Sequence, residues 1–230
     1  RTEEKEFPSP FPEKNKLTMV IPETTTKYAL RSEEQFRRIG EITAEITNLI
    51  PGNSAIYFPS YHLRDQVYKS FSTLSTKTAL LEQPQLTKDE KIEMLEKFKE
   101  FKASGAVLLC ASSGNFAEGV DLPGDFLKCV VVVGLPLTQP NLETKELIKY
   151  YDHKYKKGWD YGYIIPAFSK TLQSAGRCIR SEKDKGVIVF LDERYAWSNY
   201  FKCFPKEWDI KVTKLYKDRI KEFFEANGNS

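Results

Sequence analysis

Runs of four to six apolar residues alternate along the chain with longer stretches in which apolar positions recur every three or four residues. The runs LTMVI (17–21), AIYF (55–58), TALLE (78–82), AVLLCA (106–111), CVVVV (129–133) and VIVFL (187–191) predict strands. Several are continuously apolar and β-branched, as in strands of a parallel sheet covered on both faces, where neither face meets water. The stretches between them predict helices. Ser32-Glu33-Glu34-Gln35 has the form of a capping box and opens a stripe of Phe36, Ile39, Ile42, Ile46 and Leu49 that ends at Pro51-Gly52. Thr87-Lys88-Asp89-Glu90 repeats the device before Ile92, Leu95, Phe98 and Phe101. Residues 61–71, 142–155 and 167–179 carry further helical spacing, the last after Pro166, whose fixed φ suits a first turn. From 212 to 224 apolar positions again recur at three and four, predicting a C-terminal amphipathic helix.

Alternation of this kind predicts one α/β domain with a doubly wound, mostly parallel sheet. Its span is 17–204, with the helix in 205–230 packed on it. Residues 1–16, rich in proline and charge, read as a linker or a severed connection, and the start at Arg1 rather than Met suggests a piece of a longer protein.

Composition narrows this only a little. At 230 residues, 40% of them hydrophobic and 29% charged, the chain can bury a sizeable core and is not of disordered type. The balance of 35 basic against 32 acidic residues leaves +3, too small an excess to demand nucleic acid. No apolar run is long enough to span a bilayer, and no signal-peptide pattern opens the chain. Cys110, Cys129, Cys178 and Cys203 have none of the short spacings that bring thiolates onto zinc or an iron–sulfur cluster. They read as reduced structural residues, with Cys110 and Cys129 in the core, and no metal site is expected. His62 and His153 stand alone, without a partner at metal or triad spacing.

In an open α/β sheet, binding residues gather on the loops leaving the carboxyl ends of the strands. Three such loops stand out: Pro59-Ser60-Tyr61 after AIYF, SSGNFAEGVDLPG (112–124) after AVLLCA, and Asp192-Glu193-Arg194 after VIVFL. In the second, Gly114, Gly119 and Gly124 permit close backbone approach, and Ser112 and Ser113 offer hydroxyls and amides suited to phosphate; a plain loop with turn glycines reads equally well. There is no G-x-x-x-x-G-K-[ST] loop and no acidic pair for magnesium beside one, so the chain is not expected to hydrolyse ATP alone.

The stretches AIYFPSYHLRDQV, GAVLLCASSGNFAEGVDLPG and QSAGRCIRSEKDKGVIVFLDER, in this order, resemble motifs four, five and six of superfamily-two helicases of the XPD and DinG branch. The resemblance covers roughly residues 17–204. It implies a second RecA-like motor domain of an ATP-dependent 5′-to-3′ DNA helicase, acting on single-stranded DNA in repair or transcription. The first motor domain, holding the phosphate loop, ATP and Mg²⁺ and carrying an iron–sulfur insertion, would lie outside this chain. An intracellular location is implied, cytoplasmic in a prokaryote and nuclear in a eukaryote, with subunits of a repair or transcription complex as further partners and no membrane.

By the same resemblance Arg177 and Arg180 match the two arginines of motif six, which reach across the interdomain cleft to the ATP phosphates. Arg180 is the expected finger, and the two share a helix face if the helix persists through them. Gln173 matches the leading glutamine that couples nucleotide state to the cleft, and Gly119 and Asp121, with Glu118 beside them, match motif-five positions near the nucleotide. Ser60, Tyr61, Ser112, Ser113 and Asn115 match loops that hold the DNA backbone. Ser60 also reads as a helix N-cap, and the two roles are compatible. KYYDHKYKKGWDYGY (149–163) suits base stacking in composition, but its helical spacing favours packing of the tyrosines. Two other readings remain: a DNA- or protein-binding module without catalysis, and a small-molecule α/β enzyme using GNFAEG as a phosphate loop, for which no nucleophile–base pair is present.

Overall fold

In the computed structural model, which describes residues 3, 5, 10–116, 126–137 and 139–228, each of the six apolar runs forms a strand. They are β1 (Lys16–Ile21), β2 (Ser54–Phe58), β3 (Thr78–Leu81), β4 (Ala106–Ala111), β5 (Cys129–Val133) and β6 (Gly186–Leu191). A seventh, β7 (Ile210–Val212), joins them in the order β3-β4-β2-β5-β6-β1-β7, and every pairing is parallel. Strands β2, β4, β5 and β6 are buried at every position. Their side chains alternate between two cores, so Val130 and Val132 face one layer while Cys129, Val131 and Val133 face the other.

The second layer is built by α1 (Glu33–Leu49), α2 (Tyr61–Leu74) and α7 (Tyr216–Gly228), through Ile39, Ile42, Ile46, Leu63, Val67, Phe71 and Ile220. The first is built by α3 (Lys88–Glu100) and α5 (Ile165–Ala175), through Phe98, Phe168 and Ala175. Between them in sequence α4 (Leu142–Tyr155) leads into a π-helical turn at Asp160–Ile164, and a short α6 (Ser198–Phe201) follows β6. With all strands parallel, the loops leaving β2, β4, β5, β6 and β1 share one edge of the sheet.

Several expectations are corrected. The helix expected over 167–179 ends at Ala175, because Gly176 caps it (its N–H donates to Leu172 O at 2.8 Å) and the next amides, Arg177 and Cys178, tighten to i→i−3 bonds. Arg177 and Arg180 therefore do not share a helix face. The C-terminal helix begins at Tyr216, not at 212: Ile210 and Val212 sit two apart in β7, opposite Thr18 and Val20 of β1. The 205–230 stretch thus adds a sheet edge as well as a helix. Thr87 forms a full capping box, but at Ser32 only half of one exists, since Gln35 turns its carboxamide oxygen to the Thr25 N–H at 3.0 Å. The packing expected of the α4 tyrosines is met: they pack on one another and on Tyr161, with Tyr150 and Tyr155 about half exposed. Cys178 joins Cys110 and Cys129 in the core, and Cys203 is half-buried.

Candidate nucleotide and nucleic-acid site

Strands β2 and β4 lie side by side with Phe58 opposite Ala111, and the Ser112 N–H donates to Phe58 O at 2.7 Å. This register sets the Pro59–Tyr61 loop against the 112–116 loop at the carboxyl edge. Ser60 caps α2, its hydroxyl accepting the Leu63 N–H at 3.2 Å, so its cap reading holds. Ser112 is buried, Ser113 is exposed, and Asn115 donates its side-chain amide to Gln83 O at 3.1 Å. All five residues expected to contact DNA therefore cluster on two adjoining loops.

A residue the motif reading passed over organises that cluster. Glu82, fully buried directly after β3, accepts the Ala111 N–H at 2.8 Å and the Phe116 N–H at 2.9 Å, pinning both ends of the loop. Gly114 passes so close to this carboxylate that a Cβ there would stand 2.4 Å from Glu82 Oε2 and 2.5 Å from the Tyr61 hydroxyl. Burial, and after it the Glu82 charge, pushes the Tyr61 phenol up to about 12. Arg64, buried beneath, donates to Glu82 O and to Asp65 Oδ1 and lies 5.0 Å from the Tyr61 ring centroid. The only trace of Glu82 in the sequence is a charge closing an apolar strand.

The motif-six arginines lie between α5 and β6. Arg177 is buried and Arg180 exposed, and both guanidinium charges act on the Tyr57 phenol in β2, opposing the upward push of burial. Tyr57 donates to Phe116 O at 3.4 Å, so this side chain of the first core layer is bonded to the end of the 112–116 loop and feels the charge of both arginines. Asp184, also unmarked by the motif, fixes the turn after Arg180. Its carboxylate accepts the Arg180 N–H at 2.7 Å, the Ser181 N–H at 2.8 Å and the Ser181 hydroxyl at 2.7 Å. Gln173 is exposed on the last turn of α5. Gly119 and Asp121, with Glu118, lie outside the described residues.

Among the described residues no three His, Cys, Asp or Glu side chains converge to hold a metal ion, and no helix is long and apolar enough to cross a membrane. The four cysteines are free and belong to no such cluster, so the described residues do not supply the ligands of an iron–sulfur cluster.

The family described as the helicase C-terminal domain matches residues 43–210, from within α1 to the start of β7. The chain belongs to the helicase C-terminal domain family. A probable ATP-dependent helicase of Methanocaldococcus jannaschii is 31% identical over 206 residues, covering 82% of the chain and 30% of that protein. An ATP-dependent DNA helicase XPD of Sulfolobus acidocaldarius is 26% identical over 189 residues, covering 79% of the chain and 32% of that protein. A solved XPD helicase structure superposes with a TM-score of 0.66 at 23% identity, over 82% of the chain and 34% of its own. The expected RecA-like α/β fold is therefore the fold of this helicase C-terminal domain. The chain spans about a third of the length of these curated relatives.

Proposed function

We propose that this helicase C-terminal domain is the second motor domain, residues 17–204 with the strand and helix of 205–230 docked on it, of an ATP-dependent 5′-to-3′ DNA helicase. The carrying observation is the register of β2 on β4, which brings the two loops expected to hold DNA together at the carboxyl edge of the sheet. Ser60 and Tyr61 stand beside the loop bearing Ser112, Ser113 and Asn115, whose end Glu82 and Tyr57 hold at Phe116, while Asp184 fixes the turn after Arg180.

In this reading ATP and Mg²⁺ are held by a first motor domain elsewhere in a longer polypeptide, which also carries any iron–sulfur cluster. Arg180 places its permanent charge and donor fork on the phosphates as the cleft closes, with Arg177 beneath it and Gln173 at the cleft rim. Gly119 and Asp121 complete the nucleotide face. Ser60, Tyr61, Ser112, Ser113 and Asn115 hold single-stranded DNA by its backbone, which gives contact independent of sequence. Closure and reopening of the cleft step these loops along the strand. Subunits of a repair or transcription complex are the expected protein partners, and the location is intracellular.

Two measurements test this. The 230-residue chain alone should show no ATP turnover, and appreciable hydrolysis would refute the division of labour. In the longer polypeptide, Arg180→Ala should cut DNA-stimulated ATPase by roughly a thousandfold or more with the fold unchanged, as for other supplied arginines. Turnover within a few-fold of the parent would remove Arg180 from its role.

A further inference from the structure

The segment that enters β1 is bonded to the turn that follows the motif-six arginines. Asn15 closes a single 3₁₀ turn over Glu13–Asn15, its N–H donating to Pro12 O at 3.0 Å. Asn15 is only 6% exposed, and its Nδ2 donates to Glu182 O at 2.9 Å, across 167 residues of chain. A buried amide needs such a partner, because an unpaired donor loses the hydrogen bond it made to water.

Both sides of this contact are held firmly. Before Asn15, Phe11 packs against the first core layer. After it, Lys16 pairs with Gly186 at the start of β1 and β6, and its ammonium stands 4.7 Å from the Trp208 ring centroid. On the other side Asp184, 4% exposed, gathers the Arg180 and Ser181 amides and the Ser181 hydroxyl, and its own N–H donates to Ser181 O at 3.2 Å. The Ser181 hydroxyl takes the Lys183 N–H at 3.3 Å. Glu182 sits inside that turn, so its carbonyl moves only with the turn. Gly186 closes the loop: a Cβ there would stand 2.3 Å from Cys178 Sγ, next in the chain to Arg177. Arg180 thus projects from a compact turn whose middle carbonyl is held by the entering segment.

The start of β1 and the turn before β6 lie at the amino edge of the parallel sheet, opposite the Ser60 and Ser112 loops. In the proposed reading the first motor domain lies ahead of this chain, and residues 10–16 are the path from it into the sheet. Closure of the cleft moves that domain against this one. The movement then reaches the turn after Arg180 through one buried side chain.

We propose that Asn15 is a positioning residue for Arg180: it ties the segment joining the two motor domains to the motif-six turn, so that the path of that segment sets where the arginine points. This rests on the reading of Arg180 as the group supplied to the ATP phosphates, and goes beyond it by naming what aims it. Asn15 touches no nucleotide. It acts through geometry alone, and a misplacement of about 1 Å in such a group is enough to cost roughly a hundredfold in rate.

The test has two arms. In the 230-residue chain, Asn15→Ala should speed hydrogen exchange at the Arg180 and Ser181 amides by roughly twofold to tenfold, as for loss of one hydrogen bond, and leave the amides of β2 and β5 unchanged. In the longer polypeptide it should lower kcat of the DNA-stimulated ATPase by roughly tenfold to a hundredfold, with KM for ATP within about twofold of the parent. Asn15→Asp, equal in size but without the donor, should match Asn15→Ala in both arms. On an Arg180→Ala background, Asn15→Ala should change the single-turnover rate by less than about twofold, because it acts through that arginine. A loss that repeats on that background would make Asn15 a general support of the fold and overturn the proposal. So would unchanged exchange at Arg180 and Ser181, or an Asn15→Asp variant that behaves as the parent. Parent-like kcat in Asn15→Ala while Arg180→Ala abolishes turnover would overturn the positioning role alone. Turnover close to the parent in Arg180→Ala would sink the reading of Arg180 first, and the role of Asn15 with it.

Discussion

Replacing Asp192 by alanine tests whether the carboxyl edge is held by a buried ion pair. Asp192 is fully buried and accepts from Thr26 N and Oγ1 and from Arg194 N, Nε and Nη2, all between 2.8 and 3.0 Å. Burial works against the Arg194 charge, but the hydrogen bonds and charge of Asp192 outweigh it and hold the guanidinium above its ordinary pKa. Alanine leaves that guanidinium, only 7% exposed, with the Thr26 hydroxyl as its remaining acceptor. Breaking a buried pair by removing one partner costs about 3–5 kcal/mol. At roughly 2–4 °C per kcal/mol for a domain of this size, the melting temperature should fall by about 6–20 °C. Urea unfolding followed by circular dichroism should show a lower midpoint at unchanged slope. Asp192→Ala combined with Arg194→Met removes both charges and should recover much of the loss, because no uncompensated charge remains. A single-mutant loss below about 1 kcal/mol, or a double mutant that loses the sum of the singles, would refute the reasoning.

Asp184→Ala removes the acceptor of the Arg180 and Ser181 amides and should cost about 1–3 kcal/mol in urea unfolding, with faster hydrogen exchange at those two amides; unchanged exchange would show that Asp184 does not fix the turn. Gly114→Ala must displace either the Glu82 carboxylate, pinned by two amides, or the Tyr61 hydroxyl, and should destabilise by about 1–3 kcal/mol; a neutral result would mean the loop is looser than its contacts indicate. Burial raises the Cys178 thiol to about 12 from an ordinary 9.0, and pushes Cys110 and Cys129 well upward too. Groups raised on folding contribute stability that is complete below the unfolded pKa and lost as pH climbs towards the folded one. Unfolding free energy under reducing conditions should therefore fall above pH 9, opposed only in part by Lys77, which burial lowers to about 8. Cys178→Ala should shrink the fall, and a flat profile would contradict the assignment.

What the sequence determined by itself is whatever depends on neighbours along the chain. A run such as CVVVV can only be a strand covered on both faces, and Ser60 and Thr87 mark helix starts because capping is local. The three motif stretches were legible for the same reason, since each is a contiguous loop with its strand. Where elements end was less legible. Gly176 stopped α5 before Arg177, and β7 appeared where helical spacing continued, because an open sheet edge beside β1 took Ile210 and Val212. The groups that hold the site together were legible only in the fold. Glu82 and Phe116 are 34 residues apart, and Asp192 and Thr26 are 166 apart. Separations that long leave no local periodicity to read, and a buried carboxylate is tolerable only where distant amides and cations converge on it. That convergence is a property of the parallel sheet, which brings every carboxyl end to one edge whatever the order of the strands along the chain.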